Sequence, residues 1–137
     1  MKRRLLVVDD EPSIAKIVRK QLEVAGYEVT VAVDGLEGLT IAREALPELI
    51  VLDVMLPKMN GVEVCSTLKQ DPKTRQIPIL MLTAKAQRQD QDTGLQAGAD
   101  AFLTKPFQLE ELLEKVKTLL ERSGGPPQTV TDATTSA

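Results

Sequence analysis

Short apolar runs recur along the chain: Leu5–Val8, Val29–Val33, Leu49–Leu52, Ile79–Leu82 and Ala101–Leu103. The first, third and fourth are continuous rather than alternating, which is the pattern of strands buried on both faces. Between the runs, apolar residues return at helical spacing. Ile14, Ile17, Val18 and Leu22 form one stripe, and Leu36, Leu39 and Ala42 another after the turn Asp34-Gly35. Val64, Cys65 and Leu68 form a shorter one. Leu109, Leu112, Leu113, Val116, Leu119 and Leu120 form the clearest, with Glu110 and Glu111 in the first turn, Arg122 near the end and Gly124 beyond. Those placements suit the helix dipole and a glycine stop. Gln87–Ala97 is polar, has few apolar anchors and carries Gly94. It is read as a helix, and as the least stable one. Five alternations of strand and helix predict an α/β fold on a parallel sheet.

After Arg122 the pattern ends. Ser123-Gly124-Gly125-Pro126-Pro127 and the Thr/Ala-rich remainder cannot build a second core. The expected organisation is a folded unit over 1–122, followed by a flexible tail or linker over 123–137.

Composition narrows the function classes. The chain has 137 residues, 42% of them hydrophobic but only 2% aromatic, so its core is aliphatic and it has no aromatic platform for single-stranded nucleic acid. A net charge of −3 lacks the basic footprint of a DNA-binding module. With no His, there is no Ser-His-Asp catalysis, no imidazole metal ligand and no histidine phosphodonor. The single Cys65 excludes an internal disulfide and suggests a reducing compartment. The basic start Met1-Lys2-Arg3-Arg4 leads into an apolar run that stops at Asp9, too short for a signal peptide. A cytoplasmic location without membrane attachment is expected.

Parallel strands present their carboxyl ends at one edge, where such sheets bind ligands. The first run is followed by Asp9-Asp10-Glu11, the third by Asp53, the fourth by Thr83; the fifth leads to Lys105. Each has an ordinary explanation alone: Asp9 or Asp10 capping a helix ahead of Pro12, Asp53 as a turn residue, Thr83 as a β-former, Lys105 as a solvated cation. Together they point further, because every one closes an apolar strand at the same edge. Carboxylates about 4 Å apart repel by ~4 kcal/mol at an effective dielectric of 20. Such clustering suits a bound cation. Oxygen ligands select a hard ion, Mg²⁺ or alternatively Mn²⁺. An acidic metal site with one lysine is a design for phosphoryl transfer, in which a carboxylate can be the nucleophile.

Five stretches now carry a resemblance. They are Leu6–Glu11, Leu49–Pro57, Met59-Asn60-Gly61, Pro78–Ala84 and Ala97–Phe107. In this order they resemble the receiver domain of bacterial two-component response regulators, over residues 4 to 122. The resemblance implies a doubly wound, flavodoxin-like sheet of five parallel strands in the order 2-1-3-4-5 with five helices. It implies Asp53 as phosphoacceptor; Asp10 and Asp53 as side-chain ligands of Mg²⁺, with Asp9 supporting; and Met55 contributing its backbone carbonyl. Thr83, Lys105 and the backbone of Ala84 would bind the phosphoryl group. The Lys105–Pro106 peptide would be cis, and Thr83 with Phe102 would form the switch. Phe102 stands where many members have Tyr, so an output contact through that hydroxyl is lost. The implied protein is a signalling switch rather than an enzyme in the usual sense. It would receive its phosphoryl group from a histidine kinase or phosphotransfer protein and lose it slowly to water. Its output face would combine the helix over Gln87–Ala97, the fifth strand and the last helix. The output partner is unknown, a phosphorylation-dependent dimer is one expected assembly, and no direct nucleic-acid contact by this chain is expected.

Other readings compete. The chain is either a single-domain regulator or the receiver of a larger regulator or hybrid kinase. A phosphatase with a strand-end Asp nucleophile needs a second Asp two residues on, where this chain has Met55. A flavodoxin-type carrier needs a hydroxyl-rich phosphate loop where this chain has Asp9-Asp10-Glu11. A pseudo-receiver would usually lack one of the site residues, and all are present.

Overall fold

The structure is a computed structural model and describes residues 2–84 and 97–124. The elements run β1 (Arg4–Val8), α1 (Pro12–Val24), β2 (Glu28–Ala32), α2 (Gly35–Ala45), β3 (Leu49–Asp53), α3 (Gly61–Gln70), β4 (Ile79–Ala84), β5 (Ala101–Lys105) and α4 (Leu109–Gly124). The strands form one parallel sheet in the order β2-β1-β3-β4-β5. Four helices lie among the described residues. The expected helix over Gln87–Ala97 falls, but for its last residue, outside them, as does the tail from residue 125.

The continuous apolar runs are explained by two cores. Alternate residues of a strand face opposite sides of the sheet. Leu6, Val8, Ile50, Leu52, Ile79 and Met81 pack with α2 and α3, while Leu5, Val7, Leu49, Val51, Leu80 and Leu82 pack with α1 and α4. All five residues of β3 are buried, as befits the central strand.

Two stripe assignments need correction. Ile17 is 52% exposed and Leu36 51% exposed. In α1 the small Ala15 takes the inward position with Val18 and Leu22. In α2 Gly38 lies so close to the sheet that an added Cβ would come 2.8 Å from a Val8 methyl. That approach puts Gly35, Gly38, Leu39 and Ala42 on the buried face and turns Leu36 outward. The last helix runs to Gly124, so that glycine is its final residue rather than a stop beyond it.

Neither Asp9 nor Asp10 caps α1. The N-cap is Glu11, with Pro12 in the first turn and no side-chain cap. Asp34 caps α2 by accepting from Glu37 N, and Asn60 caps α3 in a reciprocal box with Glu63.

Candidate functional site

The chain winds from β1 to β2 on one side, and β3 then pairs with the other side of β1. Strand order therefore reverses at β1/β3, which opens a crevice at their carboxyl ends. Asp9 follows β1 directly, and Asp53 ends β3 beside it, since Val8 pairs with Leu52. Oxygens of Asp9, Asp10 and Asp53 all lie within 4.8 Å of one another. Asp9 and Asp53 are buried, and Asp10 is exposed.

Lys105 reaches in from the end of β5. Its Nζ donates to Asp53 Oδ2 at 2.9 Å and lies 3.8 Å from Glu11 Oε1 and 3.9 Å from Asp9 Oδ2. Burial works against the ammonium charge. The hydrogen bond to Asp53 and the three acids outweigh it, and the Lys105 pKa rises. The following Lys105–Pro106 peptide is cis.

The other Asp53 oxygen, Oδ1, accepts from Met55 N at 3.1 Å. Thr83 is buried near the end of β4, where it pairs with Thr104; Ala84 pairs with Lys105. Phe102 is half-buried against the core on the α2/α3 side of the sheet, opposite Met81.

Asp9 shows the strain of the cluster. Its Oδ1 accepts from Glu11 N at 3.0 Å, but its Oδ2 is buried without a hydrogen bond. Burial, opposed by the Glu11 N–H and aided by the Asp53 charge, pushes the Asp9 carboxyl up to about 6. A buried carboxylate oxygen without a hydrogen bond, with only the Lys105 ammonium at 3.9 Å and two further carboxylates about it, fits a hard cation, since the possible metal ligands clustered here among the described residues are all carboxylates.

The sequence-derived set is thus brought together at one edge, apart from Phe102, which lies deeper beside Met81. Two features were not anticipated. Glu11 approaches Lys105, and the Met55 backbone N–H donates to Asp53. The unbroken run Asp9-Asp10-Glu11 carried the first signal; no sequence feature carried the second.

The sheet order and this crevice define a flavodoxin-like α/β protein. The chain belongs to the response regulator receiver domain family, whose model matches residues 5–117. It is 50% identical over 125 residues to the "DNA-binding dual master transcriptional regulator RpaA" of Synechocystis, covering 91% of this chain and 52% of that protein. It is also 50% identical over 123 residues to the "Alkaline phosphatase synthesis transcriptional regulatory protein PhoP" of Bacillus subtilis, covering 90% of this chain and 50% of that one. The chain therefore spans about half the length of these relatives. A crystal structure of a putative response regulator from Chloroflexus aurantiacus matches with a TM-score of 0.86 at 39% identity, over 89% of this chain and all of that one. Receiver domains of response regulators are signalling switches in two-component phosphorelays. No helix among the described residues is long and apolar enough to cross a membrane.

Proposed function

We propose that this chain accepts a phosphoryl group on Asp53 from a phosphohistidine of a partner kinase or phosphotransfer protein. The observation that carries the reading is the Asp53 carboxylate, held by Lys105 Nζ at 2.9 Å on one oxygen and by Met55 N at 3.1 Å on the other, beside two further acids. That grip orients the nucleophile.

An Asp53 oxygen bonds to phosphorus as the phosphorus–nitrogen bond breaks, and the electron pair stays on the donor imidazole. Asp10 and Asp53, with Asp9 supporting and the Met55 carbonyl completing the set, would hold Mg²⁺ or Mn²⁺. When bound, the cation neutralises charge on the transferring oxygens. Lys105 passes from the carboxylate to a phosphoryl oxygen. The Thr83 hydroxyl and the Ala84 backbone N–H donate to the others. Thr83 and Phe102 share one sheet face by register, so a shift of Thr83 toward the new oxygens is relayed to the Phe102 ring and the output face beyond it. Water later cleaves the acyl phosphate and resets the switch.

The Synechocystis relative is a DNA-binding regulator, and this chain matches 52% of its length. A chain of net charge −3 is suited to control rather than to contact nucleic acid. We therefore assign it the receiver role in a longer, DNA-binding regulator. A gel shift in which this chain alone retards duplex DNA at physiological salt would overturn that assignment.

The phosphorylation test is direct. With Mg²⁺ and acetyl phosphate, the intact mass should rise by one phosphoryl group in wild type and not in Asp53→Asn. Equal labelling of the variant would remove Asp53 as acceptor.

A further inference from the structure

The loop over 54–60 joins Asp53 to α3 and bears on the acid site, because Met55 N holds Asp53 Oδ1. Its shape is unusual. Met59 N donates to Pro57 O at 2.7 Å, closing a tight turn around Lys58, which sits at φ 68°. A lysine in the left-handed region crowds its own backbone and persists only where its surroundings hold it.

Those surroundings are the start of α2. Gly35 N donates to Pro57 O at 3.4 Å, and a Cβ on Gly35 would run into the Met59 carbonyl. Asp34 is fixed by its cap, with Oδ1 accepting from Glu37 N at 2.8 Å. Its Oδ2 then faces Lys58 Nζ at 3.5 Å. The Asp34 side chain is 13% exposed and that of Lys58 64%, so one partner is anchored and the other lies along the surface. The Glu37 N–H first, and the Lys58 charge after it, hold the Asp34 carboxyl below its ordinary range.

We propose that Asp34 and Lys58 are positioning residues for the acid site: their ion pair holds the 54–60 loop so that Met55 fixes the Asp53 carboxylate. The inference rests on the metal and phosphoacceptor reading above. The chain of contacts is Asp34 to Lys58, Lys58 to its turn, and Met55 of the same loop to Asp53. Neither residue touches the reacting atoms.

The test titrates Mn²⁺ by electron paramagnetic resonance into wild type, Asp34→Asn, Lys58→Met, Lys58→Arg and the Asp34→Asn/Lys58→Met double variant. Asn keeps the cap acceptor and removes the charge. Either single loss should weaken Mn²⁺ about three- to fivefold, the scale of one surface ion pair. The double variant should be no worse than either single, and Lys58→Arg should bind within roughly twofold of wild type. Wild-type affinity in Lys58→Met, losses that multiply in the double variant, or a Lys58→Arg loss equal to that of Lys58→Met would each overturn the pairing. A wild-type chain that binds no Mn²⁺ would instead remove the metal reading itself, and this inference with it.

Discussion

Lys105 Nζ and Asp53 Oδ2 meet at 2.9 Å although β4 lies between their strands. The lysine reaches across the end of β4 and becomes the counter-charge for Asp53, Glu11 and Asp9 together. A charge group of this kind is sensitive to loss of Lys105, the one cation paired with it among the described residues, because the acids left behind repel while two of them stay buried.

Lys105→Met keeps the stem and removes the charge. In metal-free buffer at neutral pH it is expected to destabilise the fold by roughly 1–3 kcal/mol, below the full cost of an uncompensated buried ion because one side of the site meets water. Urea unfolding reads this. Beryllofluoride with Mg²⁺ should stabilise wild type and have little effect on the variant. A variant as stable and as responsive as wild type would mean the acids do not depend on Lys105.

Asp9 gives the opposite sign. Its carboxyl is raised from 3.8 to about 6 in the folded chain, so the native state holds a proton that the unfolded state has lost. That contribution to stability is complete below the unfolded value and disappears as pH rises through about 6. Above it the buried charge is a burden. In EDTA at pH 7.5, Asp9→Asn should therefore be more stable than wild type, by about 1–2 kcal/mol after allowance for screening, and the gap should close near pH 4. Mg²⁺ should raise the melting temperature of wild type more than that of Asp9→Asn. A less stable Asp9→Asn in EDTA would show that the carboxylate is already satisfied.

Gly61 tests how tightly the same region is packed. A Cβ there would collide with the Asp53 carbonyl oxygen and crowd Val54 Cα at 2.8 Å. Gly61→Ala is expected to cost about 1–3 kcal/mol, the range of overpacking, and to weaken Mn²⁺ because the Asp53 backbone must move. Gly26→Ala is the contrast. Nothing lies within 4 Å of its Cβ, but φ is +104°, so its cost is conformational and Mn²⁺ affinity should not change. Equal Mn²⁺ affinity in both variants would separate Gly61 from the site.

The legible part of this molecule is what local chemistry determines. Leu49–Leu52 reads as a central strand because both faces are buried, and Asp53 stands out because a charge ends that run. The edge residues Asp9, Asp10, Asp53, Thr83 and Lys105 follow from the same logic. The stripes were less faithful at their margins. Ile17 and Leu36 fit helical spacing, but Ala15 and Gly38 allow closer approach and take the inward positions. The Asp34–Lys58 pair was not legible, since it joins two loops by tertiary contact. Nor does a lysine announce a positive φ as a glycine would. The buried orphan oxygen on Asp9 likewise exists only once Glu11 N has taken the other oxygen.

In the proposed switch, Thr83 and Phe102 are the moving parts. By register Met81, Thr83, Phe102 and Thr104 share one face of the sheet, and the Phe102 ring is half-buried beside Met81. A phosphoryl group on Asp53 places new acceptor oxygens before the Thr83 hydroxyl. Movement toward them opens space on the same face, and the ring can enter it. Phe102 has no polar tip, so deeper burial leaves no hydrogen bond unmade and stabilises by up to about 1.5–3 kcal/mol. States separated by so little interconvert, and the inward one is expected to be populated in part before phosphorylation. Amide exchange over 101–107, with and without beryllofluoride and Mg²⁺, reads the transition. Protection should change in wild type, and Thr83→Ala should blunt the change. Phe102→Tyr should deepen the contrast between the two states, because its hydroxyl penalises the inward position without the phosphate mimic. Identical exchange in all three chains under both conditions would leave Phe102 an ordinary core residue with one rotamer.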